Sequence, residues 1–250
     1  MLNPFLEIIL LTFIGSVAGL IGGVIFLIKK DWARALCGLA VPFAAGVLLS
    51  VSLLHLLPEA NHEIGETAYL LVLVSLLASF LFEQYFAHLH HHEGRKRTTL
   101  EVSVPLVIFG DTIHNFIDGV TIAAAYFIEP TFGLVVALAT FLHETPHEIG
   151  DFGVLISAGW SRRNTFLANL ISACATFPGA LFVYFFAQNT QHTLGILLAV
   201  SGGIFLYLGA SDFLPDVGEE EEKVQTWKKI TLLLLGAVIM YLLRFLTPNH

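Results

Sequence analysis

Asp111-Thr112-Ile113-His114-Asn115-Phe116-Ile117-Asp118-Gly119 and, one helix later, His143-Glu144-Thr145-Pro146-His147-Glu148-Ile149-Gly150-Asp151 decide the reading of this chain. Both stretches lie inside long apolar runs, where a membrane helix would carry leucine. On a helix, residues three or four apart are neighbours. His114 and Asp118 therefore share a face, as do Asn115 and Asp118, and His143 and His147, with Glu144 beside them. Asp111 lies one turn before His114 and Asp151 one turn after His147, so both lengthen the polar stripe. Pro146 cannot donate to the Leu142 carbonyl and bends its helix, which a membrane helix tolerates where the freed group faces protein or a watery cavity.

Outward from these stretches the chain is hydrocarbon-like. It has 250 residues, 56% of them hydrophobic and only 13% charged, with a mean hydropathy of +0.77. A soluble domain has about a quarter of its residues charged, so the composition places this chain in a lipid bilayer. The formal net charge of −8 and the lack of a basic stripe exclude nucleic acid as a partner. Two cysteines, Cys37 and Cys174, make neither a disulfide framework nor a thiolate metal site. The first apolar run is long enough to span and has no small-residue cleavage site, so it reads as a helix and not as a cleaved signal.

Eight apolar segments follow one another at 4–28, 34–57, 67–87, 102–127, 131–157, 164–187, 192–214 and 227–246. Each can cross a hydrocarbon core of about 30 Å, which takes about 20 helical residues. The runs are continuous and not alternating, which argues against a β-barrel. The expected fold is an all-α integral membrane protein of eight transmembrane helices in one domain spanning 1–250, in a 3+2+3 order with helices 4 and 5 central. Basic residues set the orientation. Lys29, Lys30, Arg34, Arg95, Lys96, Arg97, Arg162, Arg163, Lys223, Lys228 and Lys229 all fall in odd-to-even connections, leaving Arg244 near the other face. Those connections are expected to be cytoplasmic and both termini extracytoplasmic, in a cell (inner or plasma) membrane.

The connections differ in chemistry. The outer one after helix 2 carries Glu59, His62, Glu63 and Glu66 and no basic residue, a negative mouth for cations. The inner one, 88–99, carries His88, His90, His91 and His92, a tract able to contact metal. The acidic run from Glu219 to Glu222 reads as a solvated segment. Leu54-His55-Leu56-Leu57-Pro58-Glu59 and Ser211-Asp212-Phe213-Leu214-Pro215-Asp216 share a pattern of polar, two apolar, proline, acid. They lie on helices running in opposite directions, the sign of an inverted repeat, which is frequent in transporters.

His114 lies about twelve residues into helix 4, about 18 Å along it and near the midplane. His143 lies at a similar depth in helix 5, so the two polar clusters meet. Each charged side chain at the bilayer centre costs roughly 2.5–3.5 kcal/mol on insertion scales. A single buried histidine or asparagine usually serves a hydrogen-bond network. This many, with no Lys or Arg nearby in the sequence, call for a cation. Imidazole with carboxylate suits zinc, ferrous iron and manganese; calcium and magnesium prefer oxygen alone.

His143-Glu144-Thr145-Pro146-His147 also matches H-E-x-x-H, the zinc-protease pattern of two histidine ligands and a glutamate base. A proline inside the motif, the further acids Glu148 and Asp151, and the extra ligands His114, Asn115 and Asp118 argue against an intramembrane protease. Tight midplane ligands argue against the other alternative, a passive cation channel.

At these residues the chain resembles the ZIP (Zrt-, Irt-like protein) family of divalent-metal transporters. His114-Asn115-Phe116-Ile117-Asp118-Gly119 is similar to the family's H-N-x-x-D-G helix 4 signature. His143 to Asp151 resembles the H-E-x-P-H-E-x-G-D signature of its histidine-rich subfamily, and His55 to Glu59 also looks like that subfamily. The resemblance implies a non-enzymatic transporter moving metal into the cytoplasm. Zinc is the first expectation as substrate and bound ion, with iron, manganese and cadmium as further substrates. It implies a two-metal centre: one site from His114, Asp118, His143 and His147, a second from Asn115 and Glu144 with Asp118 bridging. Some members add a glutamate from helix 6, where this chain has Asn169 and Ser172 instead. It further implies a homodimer and a compact, prokaryote-type form. The expected path enters at His55, Glu59, His62 and Glu63. It leaves by Asp111, Glu148 and Asp151, then Asp212, Asp216 and the histidine loop.

Overall fold

The computed structural model describes residues 3–91, 99–187, 190–213 and 223–246; the side chains of 30–38, 86–91, 99–103, 106, 212–213 and 223–225 lie outside the description. Eight helical segments cover them: α1 Pro4–Ile28, α2 30–64, α3 Thr67–His91, α4 Thr99–Ile128, α5 Pro130–Ser157, α6 Arg162–Ala187, α7 191–213 and α8 223–246. No strand occurs among the described residues. Six of the eight have stretches long and apolar enough to cross a membrane. The other two, α4 and α5, have 30 and 28 residues, so length is no obstacle. They are the helices that carry the polar stretches. The chain is an all-α membrane protein.

The segments keep the expected order, and their ends move for local reasons. α2 runs past Leu57 to Ile64, because Pro58 stands in the first turn after a π-helical stretch, Ser52–Leu56. There its missing N–H is tolerated. α1 begins at Asn3, whose side chain accepts from the Phe5 N–H, with Pro4 as first helical residue. Glu129 caps α5 in the same way, accepting from the Phe132 N–H ahead of Pro130.

The repeat suspected from six residues is carried by the backbone. Aligning Leu54–Glu59 with Ser211–Asp216 places the π-helical stretch Ser52–Leu56 of α2 on the π-helical stretch Gly209–Phe213 of α7. α1 and α6 also match. Each opens with a 12-residue α-helix, Pro4–Gly15 and Arg162–Ala173, and each then breaks, at Ser16 and at Cys174. Packing follows the same exchange. α2 packs on α8 as α7 packs on α3, and α4 packs on α6 as α5 packs on α1. Exchanging 1 with 6, 2 with 7, 3 with 8 and 4 with 5 maps each of these four contacts onto another. Partners so related are an odd number of crossings apart and run in opposite directions.

α4 and α5 pack on each other at the centre of this arrangement. Ile122, Ala123, Ala124 and Ala125 of α4 and Val135, Val136 and Ala137 of α5 are fully buried. α3 and α8 lie at the periphery, with Leu70, Leu81, Tyr85, Leu234, Tyr241 and Leu242 exposed as a lipid-facing helix requires. The α4–α6 crossing is made by two glycines facing each other's backbone. A Cβ on Gly119 would collide with the Thr176 carbonyl oxygen, and one on Gly179 with that of Phe116. Small residues let membrane helices approach to this distance. Gly179→Ala is expected to force α6 off α4 and cost about 1–3 kcal/mol. A thermal unfolding midpoint in detergent equal to that of the parent would refute the close crossing.

Candidate metal centre

Helix geometry brings four side chains of α4 and α5 to one point. His114, Asp118, His143 and Glu144 each offer a ligand atom, all within 4.8 Å of one another, and all four residues are buried. His114 Nε2 stands 2.9 Å from Glu144 Oε1, 3.2 Å from His143 Nε2 and 3.8 Å from Asp118 Oδ2. His143 Nε2 stands 3.5 Å from Asp118 Oδ2 and 3.7 Å from Glu144 Oε1. Ligands held 2.0–2.2 Å from a tetrahedral zinc stand about 3.3–3.6 Å apart. The measured spacings bracket that value, so one ion fits among these atoms with small adjustments.

The supporting contacts aim the ligands. His143 Nδ1 lies 2.9 Å from the Ala139 carbonyl oxygen. A carbonyl only accepts, so Nδ1 carries the hydrogen and the Nε2 lone pair points into the cluster, as a metal-binding histidine requires. Neither oxygen of the wholly buried Asp118 has a hydrogen-bond partner, which leaves both available to a cation. Phe205 of α7, itself buried, sets its ring against both imidazoles at centroid distances of 6.1 Å from His114 and 5.6 Å from His143.

The grouping differs from the one the resemblance implied. Glu144 stands in the first cluster, where His147 was expected. The His147 ring is 5.3 Å from that of His114, but its Nδ1 faces Asp111 Oδ1 at 3.6 Å and Asp151 Oδ2 at 3.7 Å. Pro146 and one further turn separate the two imidazoles of the H-E-x-x-H string into adjoining clusters. Asn115, expected as a ligand, has its amide fully engaged. Its Oδ1 accepts from the Ser16 and Thr176 hydroxyls, and its Nδ2 donates to the Asp111 carbonyl oxygen and to Asp111 Oδ1. Both hydroxyls also lie within hydrogen-bond distance of the Ala173 carbonyl oxygen where α6 breaks, Ser16 at 3.1 Å and Thr176 at 2.6 Å, so that each shares its one proton between that oxygen and Asn115 Oδ1. The breaks in α1 and α6 thus meet at Asn115, and the freed backbone group is satisfied there.

A cavity of about 770 Å³ reaches the centre, lined by Asp111, His114, His147 and Asp151 and by apolar residues of α3 and α7. Its walls are the middle of α3 from Leu71 to Glu83, α4 from Val107 to Ile117, α7 from Val200 to Leu208, and His147 and Asp151 in the second half of α5. The polar side that α5 gives it therefore runs toward the end of the bundle that holds the α5–α6 connection. At the opposite end, Glu59, His62 and Glu63 form a second group with ligand atoms within 4.8 Å. His55 stands apart from that group: its Nε2 donates to the Met240 carbonyl oxygen at 2.8 Å and ties α2 to α8. Glu148 is fully buried beside Asp111 and Glu144. His92 and Asp216 fall outside the described residues, as do the side chains of His88, His90, His91 and Asp212.

Ser16, Thr176 and Phe205 were not singled out from the sequence. A hydroxyl in an apolar helix is a weak signal, and a phenylalanine in one is none. Ser16→Ala removes the hydroxyl whose proton is shared between Asn115 Oδ1 and the Ala173 carbonyl, and its expected cost is about 1–3 kcal/mol. An unfolding midpoint matching that of the unsubstituted protein would show that the hydroxyl bridge carries no weight.

Comparison with known proteins agrees with the site. The family model described as ZIP zinc transporter matches residues 5–103 and 88–244. Zinc transporter ZIP13 of Pongo abelii is 31% identical over 216 residues, covering 80% of this chain and 64% of the relative. Zinc transporter ZIP10 of Danio rerio is 40% identical over 119 residues, covering 47% of this chain and 14% of the relative. Metal cation symporter ZIP8 of Rattus norvegicus is 35% identical over 127 residues, covering 51% and 27%. The chain thus spans less than two thirds of the length of these relatives.

Proposed function

The chain belongs to the ZIP zinc transporter family, and on that premise we propose that it carries divalent transition-metal ions, zinc foremost, across a membrane through the centre between α4 and α5. The observation that carries this reading is the convergence of two imidazoles and two carboxylates, spaced for one tetrahedral ion, at the end of a cavity from one side of the bundle. Zinc is written here as cargo. His114 and His143 supply nitrogen, Asp118 and Glu144 supply oxygen, and an ion leaving them meets Asp111, His147 and Asp151 on the cavity wall.

We read the movement as inward, into the cytoplasm. The basic residues gather at the end of the bundle toward which the cavity lies, and basic connections favour the cytoplasmic side. On that reading both termini are extracytoplasmic, and Glu59, His62 and Glu63 meet ions at the outer surface. A homodimer in the cell membrane is part of the same proposal. Relatives bear the names zinc transporter and metal cation symporter, which supports zinc and further metal cations; iron, manganese and cadmium are proposed among these. An H-E-x-x-H protease is disfavoured by geometry, because His143 and His147 face different clusters and Glu144 faces His114.

Purified protein in proteoliposomes is expected to show saturable zinc uptake that is lost in the His143→Ala, His147→Ala double variant. Uptake that survives in the variant would defeat the centre, and casein cleavage dependent on Glu144 would revive the protease. Uptake is also expected to fall with pH. Protons and metal compete for the imidazole lone pairs, so ligation is available when the histidines are neutral and is lost as they protonate. Equal rates at pH 5 and pH 7.5 would exclude a centre dominated by histidine.

A further inference from the structure

The cavity beside the centre is larger and more apolar than the path of an ion requires. Its volume is about 770 Å³, whereas a hexahydrated ion needs about 200 Å³ at about 30 Å³ per water. Its polar inner end is Asp111, His114, His147 and Asp151; the rest of its wall comes from α3, α4 and α7. α3 and α4 both pack on α7, and among the described residues they hardly touch each other. A slot is left between them. Val74 and Ala78 of α3 and Ile113 and Ile117 of α4 form its sides, and Ile204 and Leu208 of α7 form its floor. Val74 and Ile113 are 52% and 38% exposed, so the slot is continuous with the lipid-facing surface, while Ile204 and Leu208 are half-buried behind them. A Cβ on Gly110, which also lines the cavity, would meet nothing within 4 Å.

The polar groups that α3 adds to the slot are already satisfied. The Ser75 and Ser79 hydroxyls donate to the carbonyl oxygens of Leu71 and Ser75, and Glu83 accepts from the Tyr207 hydroxyl. A water here would find few partners of its own, and a cavity holds water only where it offers two to four. An apolar space that opens on hydrocarbon is filled by hydrocarbon.

We propose that the slot between α3 and α4 holds an acyl chain of a bilayer phospholipid, which completes the wall of the cavity on its lipid side. The length fits. Leu71 to Glu83 covers about 18 Å of α3 at 1.5 Å per residue, and the chains of one leaflet reach across half of a core of about 30 Å. With the chain in place, Asp111, His147 and Asp151 face a space closed to the bilayer and open toward the end of α5. The proposal rests on the place of the protein in a membrane and on the separation of α3 from α4, and it stands whether or not the histidine cluster binds metal.

The test uses the full chain in vesicles of phosphatidylcholine doped with phosphatidylcholine that carries a photoreactive diazirine at mid-chain. After irradiation the labelled residues are located by peptide mass spectrometry. Leu234 and Leu242 of α8, both exposed to lipid, report labelling from the bulk bilayer. Ile204 and Leu208 of the slot floor are expected to be labelled as well. Gly110→Leu puts a side chain into the open space and is expected to abolish labelling of Ile204 and Leu208 while α8 is labelled as before. Ala78→Leu fills the slot from the other side and serves if Gly110→Leu fails to elute as folded protein. An unlabelled slot floor in the wild type overturns the proposal. So does floor labelling that persists in both filling variants. An Ala78→Cys variant that forms a disulfide-linked dimer in the same vesicles, with the floor unlabelled, would also overturn it and give the slot to a second copy of the chain.

Discussion

The structure depends on one constraint: imidazoles and carboxylates of α4 and α5 are shut away from water at mid-membrane without a basic partner in their own clusters. Asp118, His143, Glu144 and Glu148 are wholly buried. Charged groups so placed are expensive unless paired or bound to a metal. The ion pairs seen at these residues are all between imidazole and carboxylate, and several carboxylate oxygens have no hydrogen-bond partner. The arrangement is costly without a cation, as the proposed transport of metal ions would require. The remaining helices serve to make such a place inside a bilayer. α4 and α5 are kept from lipid by α1, α2, α6 and α7, and the lipid contact falls to apolar faces, most openly those of α3 and α8.

How the shielding is achieved follows from backbone geometry. Without a hydrophobic force between helices in lipid, close packing and interhelical hydrogen bonds must hold the bundle together. Gly119 and Gly179 bring α4 and α6 into backbone contact, and Gly46 and Gly236 do the same for α2 and α8. The breaks at Ser16 and Cys174 would leave backbone groups bare in hydrocarbon. Ser16 and Thr176 supply hydroxyls to the Ala173 carbonyl there. These hydroxyls also hold Asn115, so the repair of the helix breaks and the alignment of the polar helix are one network. The exchange of halves explains why such breaks come in pairs, at matching depths of α1 and α6 and of α2 and α7.

The proposed reading of the site as a transport path, and not as a hydrolase, rests on geometry. In a zinc protease the two histidines of H-E-x-x-H grip one ion. Here His143 turns to Asp118 and His114, and His147 turns to Asp111 and Asp151 on the wall of the cavity. Clusters that share Glu144 and Asp111 form a series of positions through α4 and α5. An ion can change partners along such a series without being fully released into a low-dielectric interior.

Much of this was legible in the residues. Composition and run length determined an all-α membrane protein with eight segments, because a bilayer leaves helices as the one way to satisfy the backbone of a continuous apolar run. The spacing of His114, Asp118, His143 and Glu144 put ligand-type side chains on facing stripes, because helical periodicity is a local property. Three things needed the tertiary structure. Which imidazole joins which carboxylate depends on the rotation of α5 against α4, and Glu144 took the place expected of His147. Asn115 and His55 are ligand-type residues whose free valences were decided by other helices, through Ser16 and Thr176 in one case and the Met240 carbonyl in the other. The repeat, faint in six residues of sequence, became plain in the matched helix breaks, because inverted symmetry is conserved in the path of the backbone while lipid-facing side chains can exchange with one another. Sequence spacing determines what a helix can offer on a face; only the packing of one helix on the next decides which of those offers remain open to a cation.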